Sequence, residues 1–378
     1  MIISLAPESY TASFVAHFAS LKDPRRTTKG NIIYPLNEIL FLVISSVLCG
    51  HSDYICIEDF GEQNIDWLRK YFPYVNGTCS HDVLGRLFQK IDYDCFNQCF
   101  MDWAKQTYRL TEAELISIDG KRIRGSYDTA NNKLASHIVS AYLSSNNMAI
   151  AQVATEEKSN EITAIPELLN SIDIKGAIIS IDAMGCQKAI AEKIVSKGAD
   201  YLLAVKDNQK DLHAQVKRLF TLKLRSTSHT TTDFNHGRIE KRTATMLTDL
   251  SMMSQKEEWE SLKSVVKIDT ERYIKLSKET TTETRYYICS TAAYDAAKMN
   301  SFVRNHWGIE NKLHWHLDVN FGEDDSRKRV GNAAKNFNLI LKTALAILLR
   351  DKENKISIKR KKQKAAYDTK YREYLMKV

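Results

Sequence analysis

The stretch ELISIDGKRI, residues 114–123, decides the fold. Upstream of it, apolar residues recur every three or four positions. From here they fall in short runs: ELISIDGKRI is followed by HIVSAYLSS (137–145) and MAIAQVATEE (148–157), with breaks rich in Asn, Ser and Asp. Runs of this length and bounding read as β-strands. TAIPELLNSI (163–172) returns to helical spacing and GAIISIDAMG (176–185) is a buried strand. QKAIAEKIVSKG (187–198) is a helix stopped by Gly198, and DYLLAVK (200–206) is a further strand.

Three strands, a helix, a strand, a helix and a strand is the element order of a ribonuclease-H-like α/β domain, in which the first and fourth strands are neighbours. Residues 1–110 read as an all-helical N-terminal domain, from the spacing in FVAHFASL (14–21), ICIEDFGEQNIDWLRKYF (55–72) and HDVLGRLFQKI (81–91). ILFLVISSVLC (39–49) is flanked by Pro35 and Gly50. It falls short of the roughly 20 residues that span a bilayer, so it is expected to be a buried helix and no membrane partner is expected. No Gly- or Pro-rich linker follows, and the helical domain should pack on the rest. Residues 207–292 read as a β-rich insertion, carried by DFNHGRIEKRTATML (233–247), SLKSVVKIDTERYIK (261–275) and ETRYYICST (283–291). Two long helices, about 294–318 and 331–350, complete an α/β domain spanning 111–350.

The composition, 43% hydrophobic and 26% charged, excludes wholesale disorder and a disulfide scaffold. Seven scattered cysteines read as reduced thiols, and MIISLAPESY has neither the basic nor the apolar region of a signal peptide, so a cytoplasmic protein is expected. From Arg350 onward eleven Lys/Arg face four Asp/Glu, which places +7 of the chain's net +8 in residues 350–378. Residues 351–378 therefore read as a basic tail. Within it Lys359, Arg360, Lys361 and Lys362 form a phosphate-binding arm, since clustered cations release counterions condensed on nucleic acid.

Three acids carry the chemistry. Asp119 lies in the first strand, Asp182 ends the fourth, and Glu310 sits on the following long helix in RNHWGIENKLHW (304–315). Taken singly, each has a structural reading: a strand-end pair with Lys121, a helix cap, a helical salt bridge. Brought together, three carboxylates repel one another unless a divalent cation neutralises them. Magnesium suits such oxygen ligands and accepts phosphate oxygens into its shell, with Mn2+ as a substitute. Two ions about 4 Å apart would activate an attacking oxygen and stabilise the leaving one.

The segments LKDPRR (21–26), YPLNEILFLVISSVLCG (34–50), SIDGKRIRGS (117–126), KSNEITAIPELL (158–169), SIDAMGCQ (180–187), GADYLLAVKDNQ (198–209), HGRIEKR (236–242) and HWGIENKLHWHLDVNFGEDDSR (306–327) together resemble the DDE-type insertion-sequence transposases, in the branch that includes the H-repeat-associated proteins. The resemblance covers nearly the whole chain. It implies that Asp119, Asp182 and Glu310 are the catalytic, metal-binding acids of a ribonuclease-H-like domain. It also implies cutting and joining of DNA at insertion-sequence ends in a bacterial cytoplasm, on the nucleoid, with transposon-end and target DNA as partners and a homodimer in the synaptic complex. Lys121, Arg122 and Arg124 would then face DNA phosphate, as would Lys206 and Asn208 after the fifth strand. The helical domain would recognise the ends, with Arg25, Arg26 and Lys29 as phosphate contacts. Many relatives in the wider group place Tyr, Arg and Lys seven before, four before and seven after the glutamate. Here those positions hold Val303, His306 and Leu317, leaving Arg304, His306 and Lys312 to supply DNA contacts.

Two alternatives come from other classes. His306, Glu310 and His314, spaced by four, would form one stripe on a helix and could chelate a transition metal in a metallohydrolase. A catalytically inert, transposase-derived DNA-binding protein is the other.

Overall fold

The computed structural model describes residues 16–25, 32–108, 110–129, 133–155, 161–235 and 237–377. The helical region contains α1 (Leu36–Leu48), α2 (Tyr54–Gln63), α3 (Ile65–Leu68), α4 (His81–Lys90) and α5 (Tyr93–Thr107). Pro35 precedes α1 in an extended conformation, and Gly50, at φ +100°, turns the chain away after it. α1 is buried on almost every side, as an all-round apolar helix must be. Asp53 and Asp92 cap α2 and α5 by accepting from Ile55 N and Cys95 N.

The α/β region runs β1 (Leu115–Arg122), β2 (His137–Leu143), β3 (Met148–Thr155), α6 (Glu161–Ser171), β4 (Ile178–Ile181), α7 (Lys188–Ser196) and β5 (Asp200–Val205). It continues through α8 (Lys210–Leu219), β6 (Ser226–Asn235), β7 (Arg238–Leu247), β8 (Ser264–Ile274) and β9 (Glu279–Cys289), then α9 (Ala296–His306), a π-helical turn (Ile309–His314), α10 (Trp315–Val319) and α11 (Ala333–Arg350). One sheet holds all nine strands in the order β3-β2-β1-β4-β5-β9-β8-β7-β6. β1, β4 and β5 are parallel neighbours, and the remaining pairs are antiparallel. An N-terminal helical region thus precedes a ribonuclease-H-like catalytic core.

The β-rich segment is not a separate module: β9 pairs with β5, so its strands extend the core sheet. It also opens with α8, a helix that its polar sequence concealed. The first of the two expected long helices is broken by the π turn. α11, buried for most of its length, packs on α1, α4, α5 and β3. One apolar cluster consequently runs from the helical region into the strands.

The segment read as a basic tail is folded. α12 (Ile358–Tyr367) and α13 (Thr369–Leu375) bury Ile358, Ala365, Tyr371 and Leu375. Lys361 Nζ donates to the carbonyls of Leu348 and Asp351, 2.9 and 2.5 Å away, satisfying carbonyls at the buried C-terminal end of α11. Lys362 donates to Asn320 O and lies over the Phe321 ring. Arg372 is buried against Phe60 and Trp67. Long aliphatic stems let these cations bury while their heads find carbonyls and rings. Lys361 and Lys362 are thus packing residues, a correction to the phosphate-binding arm; Lys359 and Arg360 remain exposed. Among the described residues no helix is long and apolar enough to cross a membrane.

Candidate active site

In the parallel pair β1–β4, Ser117 stands beside Ser180 and Ile118 beside Ile181. The next position along each chain is an aspartate: Asp119, which continues in β1 opposite Ser140 of β2, and Asp182, which follows the last residue of β4, so the two stand on neighbouring parallel strands at matching positions. Strand alternation puts Ser117, Asp119 and Lys121 on one face. The helical arm from α9 to α10 packs on β1 and β4. Beneath it runs a polar line: His306 Nδ1 lies 2.9 Å from Ser180 Oγ, which donates to Ser117 Oγ at 3.2 Å.

Asp182 Oδ1 accepts from Met184 N at 3.0 Å and Gly185 N at 3.4 Å, capping the short turn after β4 rather than the helix at Lys188. Asp119 Oδ2 lies 3.4 Å from His314 Nδ1. Burial by itself would raise the Asp119 carboxyl, but the contact with His314 and the charge of that imidazole hold it below its ordinary value. Asp182 goes the other way, raised by burial and by the charge of Asp119. Two neighbouring carboxylates, one penalised by the other, form an oxygen-only donor pair in want of a cation, and a hard divalent ion fits it.

Glu310 occupies the π turn, exposed; its carbonyl accepts from Trp315 N, and its carboxylate makes no hydrogen bond or ion pair with the described residues. Its near neighbour His314, not Glu310, reaches Asp119. Among the described residues no three His, Cys, Asp or Glu side chains converge to hold a metal, so the expected triad is present as a pair with a third acid apart. The same turn overturns the His306–Glu310–His314 stripe: a π turn is wider than an α turn, and His306 faces Ser180 while His314 faces Asp119.

Several expected phosphate contacts are engaged elsewhere. Lys121 Nζ is enclosed by Asp318 Oδ1 (2.6 Å), Glu323 Oε2 (2.9 Å) and Asp324 Oδ1 (3.2 Å). Burial opposes its charge, yet Glu323 and Asp318 raise its pKa above the ordinary lysine value. It neutralises acids and does not face a phosphate. His306 is driven towards its neutral form by burial, so it offers no cation. Arg304 pairs with Asp233 from β6, and Lys312 donates to Asn147 Oδ1 at 3.0 Å. Asn208 donates to Ala183 O at 2.6 Å and braces the turn after Asp182. Arg122 and Lys206 are exposed; Arg124 is 81% exposed, with Nε 3.5 Å from Asp324. Arg25 is held by Asp23 and Tyr34 O, whereas Arg26 and Lys29 lie outside the described residues. A cleft of about 630 Å³ lies away from the acids, between α2, α4 and the 321–333 loop, with Arg86, Arg327 and Lys328 in its lining.

One pair escaped sequence reasoning. His137 Nε2 lies 2.5 Å from Glu161 Oε1, both buried, directly behind Gly120. The glycine next to Asp119 was the signal that could have pointed to it.

A sheet with one aspartate in its first strand and another at the end of the neighbouring parallel strand, crossed by a helical arm carrying a glutamate, defines the ribonuclease-H-like class of folds. The chain matches the DDE_Tnp_1-associated family over residues 15–104 and the Transposase DDE domain family over residues 110–349. It is 42% identical to the H repeat-associated putative transposase YhhI of Escherichia coli (strain K12), over 94% of this chain and 95% of that one. It is 41% identical to the putative transposase YncI of Escherichia coli O157:H7, over 96% and 94%. Among solved structures, a piggyBac transposase synaptic complex with hairpin DNA is similar at a TM-score of 0.43 and 12% identity, covering 98% of this chain and 77% of that one. The chain belongs to the DDE transposase family, in its H-repeat-associated branch.

Proposed function

We propose that this transposase cuts and joins DNA strands at insertion-sequence ends by divalent-cation-dependent phosphoryl transfer, with Asp119, Asp182 and Glu310 as its catalytic acids. The placement of Asp119 and Asp182 at matching positions of the neighbouring parallel strands β1 and β4, each directly after the pair Ile118–Ile181, is the observation that carries this reading. Asp119 and Asp182 would hold Mg2+, or Mn2+ in its place, and Glu310 would join them from the π turn. When bound, such cations activate the attacking oxygen and stabilise the leaving one. The protein's own part is positional. The turn amides fix Asp182, His314 orients Asp119, and the neutral His306 anchors the α9 arm on Ser180 without adding charge.

Arg122, Arg124, Lys206, Lys359 and Arg360, all exposed, would contact backbone phosphates, which position DNA without reading its sequence. The helical region, residues 1–110, would supply recognition of the ends. Transposon-end and target DNA are the partners of this reading, two copies meet in the synaptic complex, and the setting is the bacterial nucleoid.

Asp182→Asn tests the assignment, because the amide is nearly isosteric but uncharged. Losing a carboxylate that contributes several kcal/mol should lower cleavage of the element's terminal sequences roughly 10³-fold. DNA binding and thermal unfolding should stay near wild type. Substantial cleavage by the purified variant in Mg2+ would sink the proposal.

A further inference from the structure

Glu161 opens α6 and His137 opens β2, and the two side chains meet in the interior, 9% and 2% exposed, with Oε1 2.5 Å from Nε2. A buried carboxylate and imidazole are expensive to desolvate, and an apolar pair would have filled this space at less cost to stability. The location is also unusual. The pair presses on the main chain of Gly120, the residue immediately after Asp119, and a Cβ built on Gly120 would collide with both Glu161 Oε1 and His137 Nε2. Gly120 does not lie in the positive-φ region, unlike Gly50. Room for the acid, not backbone freedom, is therefore what requires glycine here.

α6 approaches the second aspartate as well. It packs against the turn that Asp182 caps, where a Cβ on Gly185 would come within 3.1 Å of Ile165. One acid thus stands behind the residue next to Asp119, on the helix that packs against the turn after Asp182, while Glu310 is exposed on the π turn.

We propose that Glu161 is a fourth acid of the active site, stored on His137 behind Gly120, and that it helps to hold the divalent cation at Asp182 once the cation loads. The proposal rests on the reading of Asp119 and Asp182 as cation ligands. His137 is then a positioning residue that keeps the carboxylate inside the protein until a stronger partner arrives.

The test uses the full chain and Mn2+ alone, without DNA. Free Mn2+ is followed by electron paramagnetic resonance, and unfolding temperatures are compared in EDTA and in Mn2+. Wild type should bind saturably and gain thermal stability from the ion, and Asp182→Asn should lose both. Glu161→Gln should weaken Mn2+ binding about 10–100-fold, the range typical for groups that support a metal site, and should shrink the Mn2+-induced rise. That rise is a difference within each variant, so a lower baseline stability does not mask it. Should glutamine unfold the pair, Glu161→Asp keeps the charge and withdraws it by one methylene, with the same expected direction. Wild-type Mn2+ affinity in a Glu161 variant, beside its loss in Asp182→Asn, would overturn this proposal and leave the cation reading standing. Mn2+ binding that ignores Asp182 as well, or no binding by wild type, would overturn both.

Discussion

Asp119 and Lys121 are two residues apart on one face of one strand, and they sit in opposite electrostatic situations. At Lys121 the protein brings Asp318, Glu323 and Asp324 together and supplies the neutralising cation itself. At Asp119 it sets a second carboxylate, Asp182, on the neighbouring strand and supplies only the edge of a histidine, so Asp182 is left with a raised carboxyl. Clustered acids therefore mean different things a few ångströms apart. The lysine-centred cluster is part of the folded structure, joining β1 to the loop after α10, whereas the aspartate pair has no lysine or arginine in ion-pair contact among the described residues.

The sharpest way to break this contrast is to remove the lysine. Lys121→Met leaves Glu323, 3% exposed, and Asp318 without their cation and Asp324 with only the exposed Arg124, and stripping one side of a buried pair costs about 3–5 kcal/mol. Denaturant unfolding should show a loss of that size. A loss below about 1 kcal/mol would mean that solvent, not Lys121, neutralises the loop.

A second buried lysine sharpens the same point through pH. Lys342 on α11 donates to Ser140 Oγ at 2.7 Å and Gln152 Oε1 at 2.5 Å. Burial lowers its pKa from 10.5 to about 7, with Glu323 opposing and Lys121 assisting that shift. Between those values the unfolded chain binds the proton more strongly than the folded one, so this group makes stability rise with pH from about 7 upwards. Lys342→Met should abolish that part of the rise. Melting temperatures for both proteins between pH 7 and 10 provide the check, and parallel curves would show that Lys342 is charged in the fold.

The smallest effect is expected at α12. Truncation after Arg350 would remove the buried residues of α12 and α13, so it reports on folding and not on DNA. Point changes are cleaner: Lys359→Ala and Arg360→Ala should each reduce the slope of log affinity against log salt by roughly 0.9 if each residue meets one phosphate. An unchanged slope in the double variant would assign these two cations to solvent.

Much of this was legible in advance because it is local. Apolar runs of strand length locate β1 to β5, and Asp119 and Asp182 each follow such a run directly, so pairing the two strands in parallel sets them side by side. The rest depends on contacts that no window of sequence contains. Lys121 finds its acids about two hundred positions away. Lys361 looks like part of a basic arm until the end of α11 offers it carbonyls. α8 was hidden by its polar surface, and the π turn that separates Glu310 from His314 has no propensity signature. His306 reads as a cation or a metal ligand, but burial beside Ser180 makes it a neutral anchor.

The central claim is that the Asp119–Asp182 pair is completed by a divalent cation, and exchanging its ligand chemistry tests that most directly. Asp182→Cys replaces a hard oxygen donor by sulfur, which Mg2+ accepts poorly and Mn2+ tolerates better. Cleavage of the element's ends by the folded, DNA-bound variant should be lost in Mg2+ and substantially recovered in Mn2+. Equal activity in the two ions, or none in Mn2+ while Asp182→Asn still cleaves, would contradict the account.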